Sequence, residues 1–351
     1  MIGADFLRNE TEEDLQLPVA PSDLSFKSVL LATDLSDSSR AVFTKALQMC
    51  LSLDASLSIV HIFEYASSSP PYSGSDSNEA DTYYERARHS LDAFEQAARK
   101  AGVRCTSSIG SGTPSSTILD TIRANHIDLA ILGTRSIRGV ERLVMGSSAE
   151  AVFRKAPCPV LTVGPHVREV TGTTELGSPV IFATDFQVAT VDAIAYAAFF
   201  SSLMSAPLHC LHVLPLSLAG TAKRPNNVPQ VITTALRHLS TKKDNAFETP
   251  ICATAYGNEI SKTVIDYANQ HHARLIVLGI RKAPMLVSHL PAHTAYHIIA
   301  GAPCPVLTMA FALENPPLHF DGYLSGVPFG SLQVVAAATE PVKLSGEAVA
   351  P

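Results

Sequence analysis

The sequence predicts an α/β protein of two tandem domains, each an open parallel sheet covered by helices. Two observations carry that prediction. Four segments recur in the same order at a nearly constant offset of about 150 residues. Within each copy, short apolar runs alternate with stretches of helical periodicity. The length agrees, since 351 residues correspond to about two domains of ~150 residues each.

The recurring segments set the order of elements. SVLLATDLSDSSRAVFTKAL from Ser28 matches PVIFATDFQVATVDAIAYAA from Pro179, an apolar strand ending in Ala-Thr-Asp and then a helix. LSIVHIF from Leu57 matches LHCLHVL from Leu208, DLAILGTR from Asp128 matches ARLIVLGIR from Ala273, and KAPCPVLTVG from Lys155 matches GAPCPVLTMA from Gly301. In the first copy, Val29 to Thr33 is a continuous apolar run, as expected of a strand buried on both faces. Asp37 to Leu53 repeats apolar residues at helical spacing, with Ser36 or Asp37 as its cap. Strand Leu57 to Phe63, a Ser/Pro/Gly-rich loop over Ser67 to Asn78 and helix Ala80 to Ala101 follow. Then come strand Arg104 to Ile109, helix Ser115 to Asn125 with Pro114 near its first turn, and strand Asp128 to Leu132. Helix Ser147 to Lys155 and strand Val160 to Val163 close the copy.

The second copy repeats this order, with Ala193 to Ala206 as a buried helix and Val228 to Lys243 as a further helix. The expected boundaries are an N-terminal extension over 1–24, a first domain over 25–168, a second over 177–311 and a C-terminal extension over 312–351. Within that tail, Leu332 to Ala337 is a candidate to dock on the sheet or on a partner chain.

Composition excludes several functions. With 46% hydrophobic residues the chain can bury sizeable cores and is not disordered. A formal charge of −6 offers no basic field for nucleic acid or anionic lipid. The start, MIGADFLRNETEEDLQLP, is acidic and lacks an apolar core, and no apolar stretch reaches membrane-spanning length, so a cytoplasmic protein is expected. Six Cys without a CxxC pair suit neither a disulfide scaffold nor a zinc knuckle; Cys50, Cys105, Cys210 and Cys252 read as small core residues, and the Pro-Cys-Pro edges at Cys158 and Cys304 suit a seam between the copies. His289, His293 and His297 recur every four residues, but Pro291 interrupts them and no HExxH motif is present. His61 and His212 sit among apolar strand residues and are expected to bond backbone rather than catalyse. There is no GxSxG elbow, no GxxxxGK[ST] loop and no SGGxDS loop.

In an open parallel sheet, ligands bind beyond the carboxyl ends of the strands. Those ends carry Thr33-Asp34, Ile62-Phe63-Glu64 and Gly133-Thr134-Arg135-Ser136, the last opening a loop that closes on Gly146-Ser147-Ser148 before a helix. Glycine lets backbone approach a ligand, a helix N-terminus attracts phosphate, and Arg135, Arg138 and Arg142 could neutralise it.

These residues resemble the universal stress protein family, whose nucleotide signature is Gly, two residues, Gly, nine residues, Gly, then Ser or Thr. GTRSIRGVERLVMGSS, from Gly133 to Ser148, keeps Gly133, Gly146 and Ser147 at that spacing, and Ser136 replaces the second Gly. The resemblance spans both copies and implies Rossmann-like domains of the adenine nucleotide alpha hydrolase-like kind. By resemblance, ATP or AMP is the cofactor, with magnesium as companion of a triphosphate. Resemblance assigns adenosine to Asp34, beside Thr33, and to Ile62. It assigns ribose to Gly133, and phosphates to Gly146, Ser147 and Ser148 with Arg135 and Ser136 in the loop. A serine at a position needing positive φ costs about 1–2 kcal/mol, although its hydroxyl could donate to phosphate. The second copy reads GIRKAPMLVSHLPAHTA from Gly279, with Lys282 for the second Gly and Ala292-His293 for the final Gly-Ser; a structural role is expected there.

The expected function is a nucleotide-responsive stress or signalling protein with at most slow ATP hydrolysis. The alternative is a nucleotide-free adaptor that acts by dimerisation or partner binding. A hydrolase or transferase using the same pocket is a third class, separable by phosphate release. The family resemblance implies that the copies pair within the chain through their last strands, and a further homodimer would also suit it.

Overall fold

A computed structural model describes residues 24–63, 77–134, 147–168, 177–185, 193–219, 250–282 and 291–312. The expected helix over Val228 to Lys243, residues 332–337 of the tail and His289 lie outside them.

The first half runs β1 (Ser28–Thr33), α1 (Ser39–Leu53), β2 (Ser56–Phe63), α2 (Ser77–Lys100), β3 (Cys105–Ser111), α3 (Pro114–Ala124), β4 (Leu129–Gly133), α4 (Ser147–Lys155) and β5 (Val160–Val163). The second half runs β6 (Val180–Ala183), α5 (Ala193–Leu203), β7 (Leu208–Leu214), β8 (Ile251–Tyr256), α6 (Ile260–Gln270), β9 (Leu275–Lys282), α7 (Pro291–Gly301) and β10 (Val306–Ala312).

The ten strands among the described residues form one sheet in the order β3-β2-β1-β4-β5-β10-β9-β6-β7-β8. Each half is parallel, and the halves join through the antiparallel pair β5–β10, with Leu307 opposite Leu161. Alternation along the apolar strands sends successive side chains to opposite faces. Val29 and Leu31 pack with Val42, Phe43 and Ala46 of α1 and with α5. Leu30 and Ala32 pack on the other face with Ile118 and Ile122 of α3, Phe153 of α4, Val264 of α6 and Ile298 of α7. Both cores run across the seam. Just before β1, Phe26 lies among Tyr196, Phe199 and Phe200 of α5, with ring centroids 6.4, 5.1 and 5.4 Å away. Beyond β5, Arg168 donates from its guanidinium to Asn269 Oδ1 at 3.0 Å and to His272 Nδ1 at 2.8 Å.

Several element boundaries differ from the sequence expectation. Helix α1 begins at Ser39, and the capping position falls on Ser38, which makes no side-chain cap bond. Neither Ser36 nor Asp37 is the cap. The reason lies at the strand end: Leu35 takes a left-handed φ of 56°, and Asp34 Oδ1 accepts from Ser36 N at 3.1 Å and from Ser39 Oγ at 2.8 Å. That Asx turn delays the helix. Strand β3 continues two residues past Ile109, paired with Ile62 and Phe63 of β2. Helix α2 starts at Ser77, so the expected loop ends early. Strand β10 runs to Ala312, which the sequence reading gave to the start of the C-terminal extension.

A buried polar cluster in the second half makes stability depend on pH. His209 Nδ1 lies 2.9 Å from the Tyr267 hydroxyl, and its ring packs 5.3 Å from that of His271. Burial, and then the neighbouring His271, hold the His209 pKa down to about 4. An unfolded histidine takes up its proton near pH 6.5. Between those values the unfolded chain binds more protons, so stability falls as pH falls from about 6.5 towards 4, by up to ~3 kcal/mol. The thermal midpoint followed across that window should drop, and His209→Gln, which keeps a partner for Tyr267, should flatten the drop. His271, shifted downwards by burial and by His272, leaves a residual slope.

Candidate functional site

The order β3-β2-β1-β4-β5 reverses direction between β1 and β4. From β1 the chain moves outward to β2 and β3; it then returns to lay β4 on the other side of β1. The two connections leave the sheet on opposite faces and open a crevice at the carboxyl ends of β1 and β4. Ala32 pairs with Leu132, which brings Thr33 level with Gly133. Thr33 and Asp34 therefore form one lip of the crevice and Gly133 the other.

Each lip has local support. The half-buried Thr33 ends β1, and its Oγ1 accepts from Leu35 N at 3.1 Å. Asp34 is exposed, and its Oδ1 is fixed by Ser36 and by Ser39 at the head of α1. Ile62 is half-buried one strand away, opposite Gly110. At Gly133 a Cβ would lie 2.9 Å from Val42 Cγ2, so glycine is what lets α1 sit against the end of β4. Thr134 is buried, its N donates to Val163 O at 3.1 Å, and its Oγ1 has no hydrogen-bond partner.

Ser147 is the first residue of α4, as the sequence expected. Ser148 is half-buried in the first turn. Arg135, Ser136 and Gly146 lie outside the described residues, as does the side chain of Ser147.

His61 is nearly fully buried. Its Nδ1 lies 2.9 Å from the Thr33 carbonyl oxygen and its Nε2 3.1 Å from the Tyr83 hydroxyl. A carbonyl only accepts, so Nδ1 carries the hydrogen and the neutral ring accepts from Tyr83 at Nε2. In the second half His212 Nδ1 meets the Thr184 carbonyl at 2.9 Å in the same way. The expected backbone bonding of both histidines holds. Sequence reasoning missed Tyr83: it sits on α2, 22 residues beyond His61, in a stretch with no motif. The matched His in VHIF and LHVL was the one available hint that this strand position has a recurring partner.

The corresponding edge of the second half is built differently. Strand β9 continues past Gly279, and Ile280, Arg281 and Lys282 pair with Ala310, Phe311 and Ala312 of β10. In the first half, β4 stops at Gly133 and β5 at Val163. Extended backbone held against a neighbouring strand cannot curl its successive amides towards one anion.

The universal stress protein family model matches residues 25–164 and again 178–309. The chain belongs to the universal stress protein family. A putative universal stress protein of Staphylococcus haemolyticus (strain JCSC1435) is 32% identical over 146 residues, which make up 40% of this chain and 86% of that protein. The crystal structure of a universal stress protein from Archaeoglobus fulgidus DSM 4304 superposes with a TM-score of 0.63 at 18% identity, covering 82% of this chain and 98% of that one. A putative universal stress protein from Pseudomonas aeruginosa UCBPP-PA14 gives 0.54 at 16%, covering 82% and 94%. At those identities the likeness concerns the fold. Two universal stress protein domains in one chain account for the sequence repeat, and β5–β10 is where these two copies join. Among the described residues no helix is long and apolar enough to cross a membrane.

Proposed function

We propose that the first universal stress protein domain binds ATP or AMP in the crevice between β1 and β4, and that the protein is a nucleotide-responsive stress or signalling protein with little or no turnover. The observation that carries this reading is the switch point itself. It is flanked by an exposed, oriented carboxylate at Asp34 and by Gly133, and the chain then runs to the N-terminus of α4. The donor set suits an adenine nucleotide. Asp34 and the backbone of Ile62 take the adenosine, and Gly133 borders the ribose. Ser147, Ser148 and the amides of α4 meet the phosphates, with Gly146, Arg135 and Ser136 completing the loop. Magnesium enters only as the companion of a triphosphate. If the nucleotide-bound loop requires positive φ at position 136, Ser136 in place of glycine lowers affinity by about tenfold for each 1.4 kcal/mol of strain; otherwise its hydroxyl is free to donate to a phosphate.

Low turnover is supported by the one described imidazole at this strand end: both nitrogens of His61 are engaged, by Thr33 and by Tyr83, so it is not poised as a general base. The second domain has a structural role, because β9 continues as paired sheet past Gly279, whereas β4 ends at Gly133. The domain boundaries at 25–168 and 177–311 are part of the same reading.

Calorimetric titration of magnesium ATP into nucleotide-stripped protein tests it. Binding of one ATP per chain is expected, and loss of that binding in Gly146→Val plus Ser147→Ala. A hundredfold excess over Kd should stabilise the fold by about 2.7 kcal/mol. No heat and an unmoved thermal midpoint at millimolar ATP would contradict the proposal and leave a nucleotide-free adaptor.

A further inference from the structure

Tyr83 is placed the wrong way round for a surface tyrosine. The usual arrangement buries the ring and leaves the hydroxyl in water. Here the hydroxyl points inward to His61, which is 3% exposed, while Tyr83 as a whole is 45% exposed. What it offers to solvent is therefore ring. Two restraints fix that ring. The hydroxyl donates to His61 Nε2, and His61 in turn donates to the Thr33 carbonyl, which ties α2 to the last residue of β1. The Phe63 ring supports it from the end of β2, with centroids 5.0 Å apart and planes at 59°. The ring stands at the carboxyl end of β2, against His61 and Phe63, and through His61 it is tied to the last residue of β1. A core-packing role explains neither the exposed ring nor the use of a buried histidine to hold it. A rigid, apolar π-face at a ligand edge suits a flat heterocycle.

We infer that Tyr83 is the wall on which the base of the bound nucleotide stacks, with His61 as the residue that positions it. This rests on the nucleotide reading of the first domain and adds a specificity to it. A bicyclic purine covers more of the ring than a pyrimidine, so the site should favour purine over pyrimidine nucleotides.

The full chain contains no Trp, so its intrinsic emission is tyrosine emission. ATP and CTP are titrated into wild type, Tyr83→Ala and Tyr83→Phe, with circular dichroism as the check on folding. Wild type should bind ATP more tightly than CTP, with quenching of tyrosine emission. Tyr83→Ala should weaken ATP by about tenfold and CTP by less, narrowing the preference. Tyr83→Phe keeps the ring and cuts its link to His61, so it should weaken ATP by less than Tyr83→Ala; wild-type affinity here would show that the His61 bond does not position the ring. Tyr83→Ala with wild-type ATP affinity would overturn the inference. Equal losses of ATP and CTP would overturn it as well, since they would mark general damage to the site. Failure of wild type to bind ATP would remove the nucleotide reading and the stacking role together. The wild-type titration reports on the first and the variant ratios on the second, so the two failures remain distinct.

Discussion

Leu307→Asp is expected to leave no cooperatively folded protein. Leu307 is fully buried on β10 and faces Leu161 across the antiparallel pair that joins the two domains. Both side chains lie in the core that runs from the first domain into the second. An unpaired carboxylate there costs several kcal/mol, and loss of the leucine adds roughly 2–5 kcal/mol. Domains of this kind have only about 5–15 kcal/mol in total. Leu307→Ala, which opens a cavity without a charge, should remain folded and melt several degrees lower. Thermal denaturation followed by circular dichroism reads both. An Asp variant that melts cooperatively within a few degrees of wild type would mean that the β5–β10 seam does not hold the halves together.

Gly133→Val should abolish measurable ATP binding and also cost stability. A Cβ alone at this position reaches 2.9 Å from Val42 Cγ2, and the two extra methyl groups must push α1 off the end of β4. Overpacking of this sort costs about 1–3 kcal/mol. The larger consequence is geometric. Ser39, one turn before Val42, holds Asp34 Oδ1, so displacement of α1 moves the opposite lip of the crevice. Titration of ATP into the variant, with the thermal midpoint as control, should give no binding to a protein that still folds. Wild-type affinity would show that Gly133 and Asp34 do not share one site.

The strands and their order were legible in the sequence because each buried strand is a continuous apolar run and the pattern occurs twice. Helix α4 and strand β5 fall where periodicity put them. What escaped depends on contacts between residues distant in sequence or on local turn chemistry. The start of α1 was misread because Asp34 bonds Ser39 instead of leaving Asp37 to cap. The extension of β9 past Gly279 is not visible in sequence, because Gly279 resembles Gly133, where β4 ends. Nothing local shows that Arg281 and Lys282 would find partners in Phe311 and Ala312. Phe26 gives no sign in sequence that its neighbours are three aromatic residues of α5. Of the candidate site, Thr33, Asp34, Ile62 and Gly133 could be picked out because strand ends are visible in sequence. Tyr83 could not, because its meaning comes from one hydrogen bond across 22 residues.

The most direct measurement is a count of sites. Equilibrium dialysis of radiolabelled ATP against nucleotide-stripped full-length chain, with magnesium, should saturate at one ATP per chain. Saturation at two would mean that the extended β9 edge of the second domain also binds nucleotide, and no binding would mean that the crevice between β1 and β4 is not a nucleotide site.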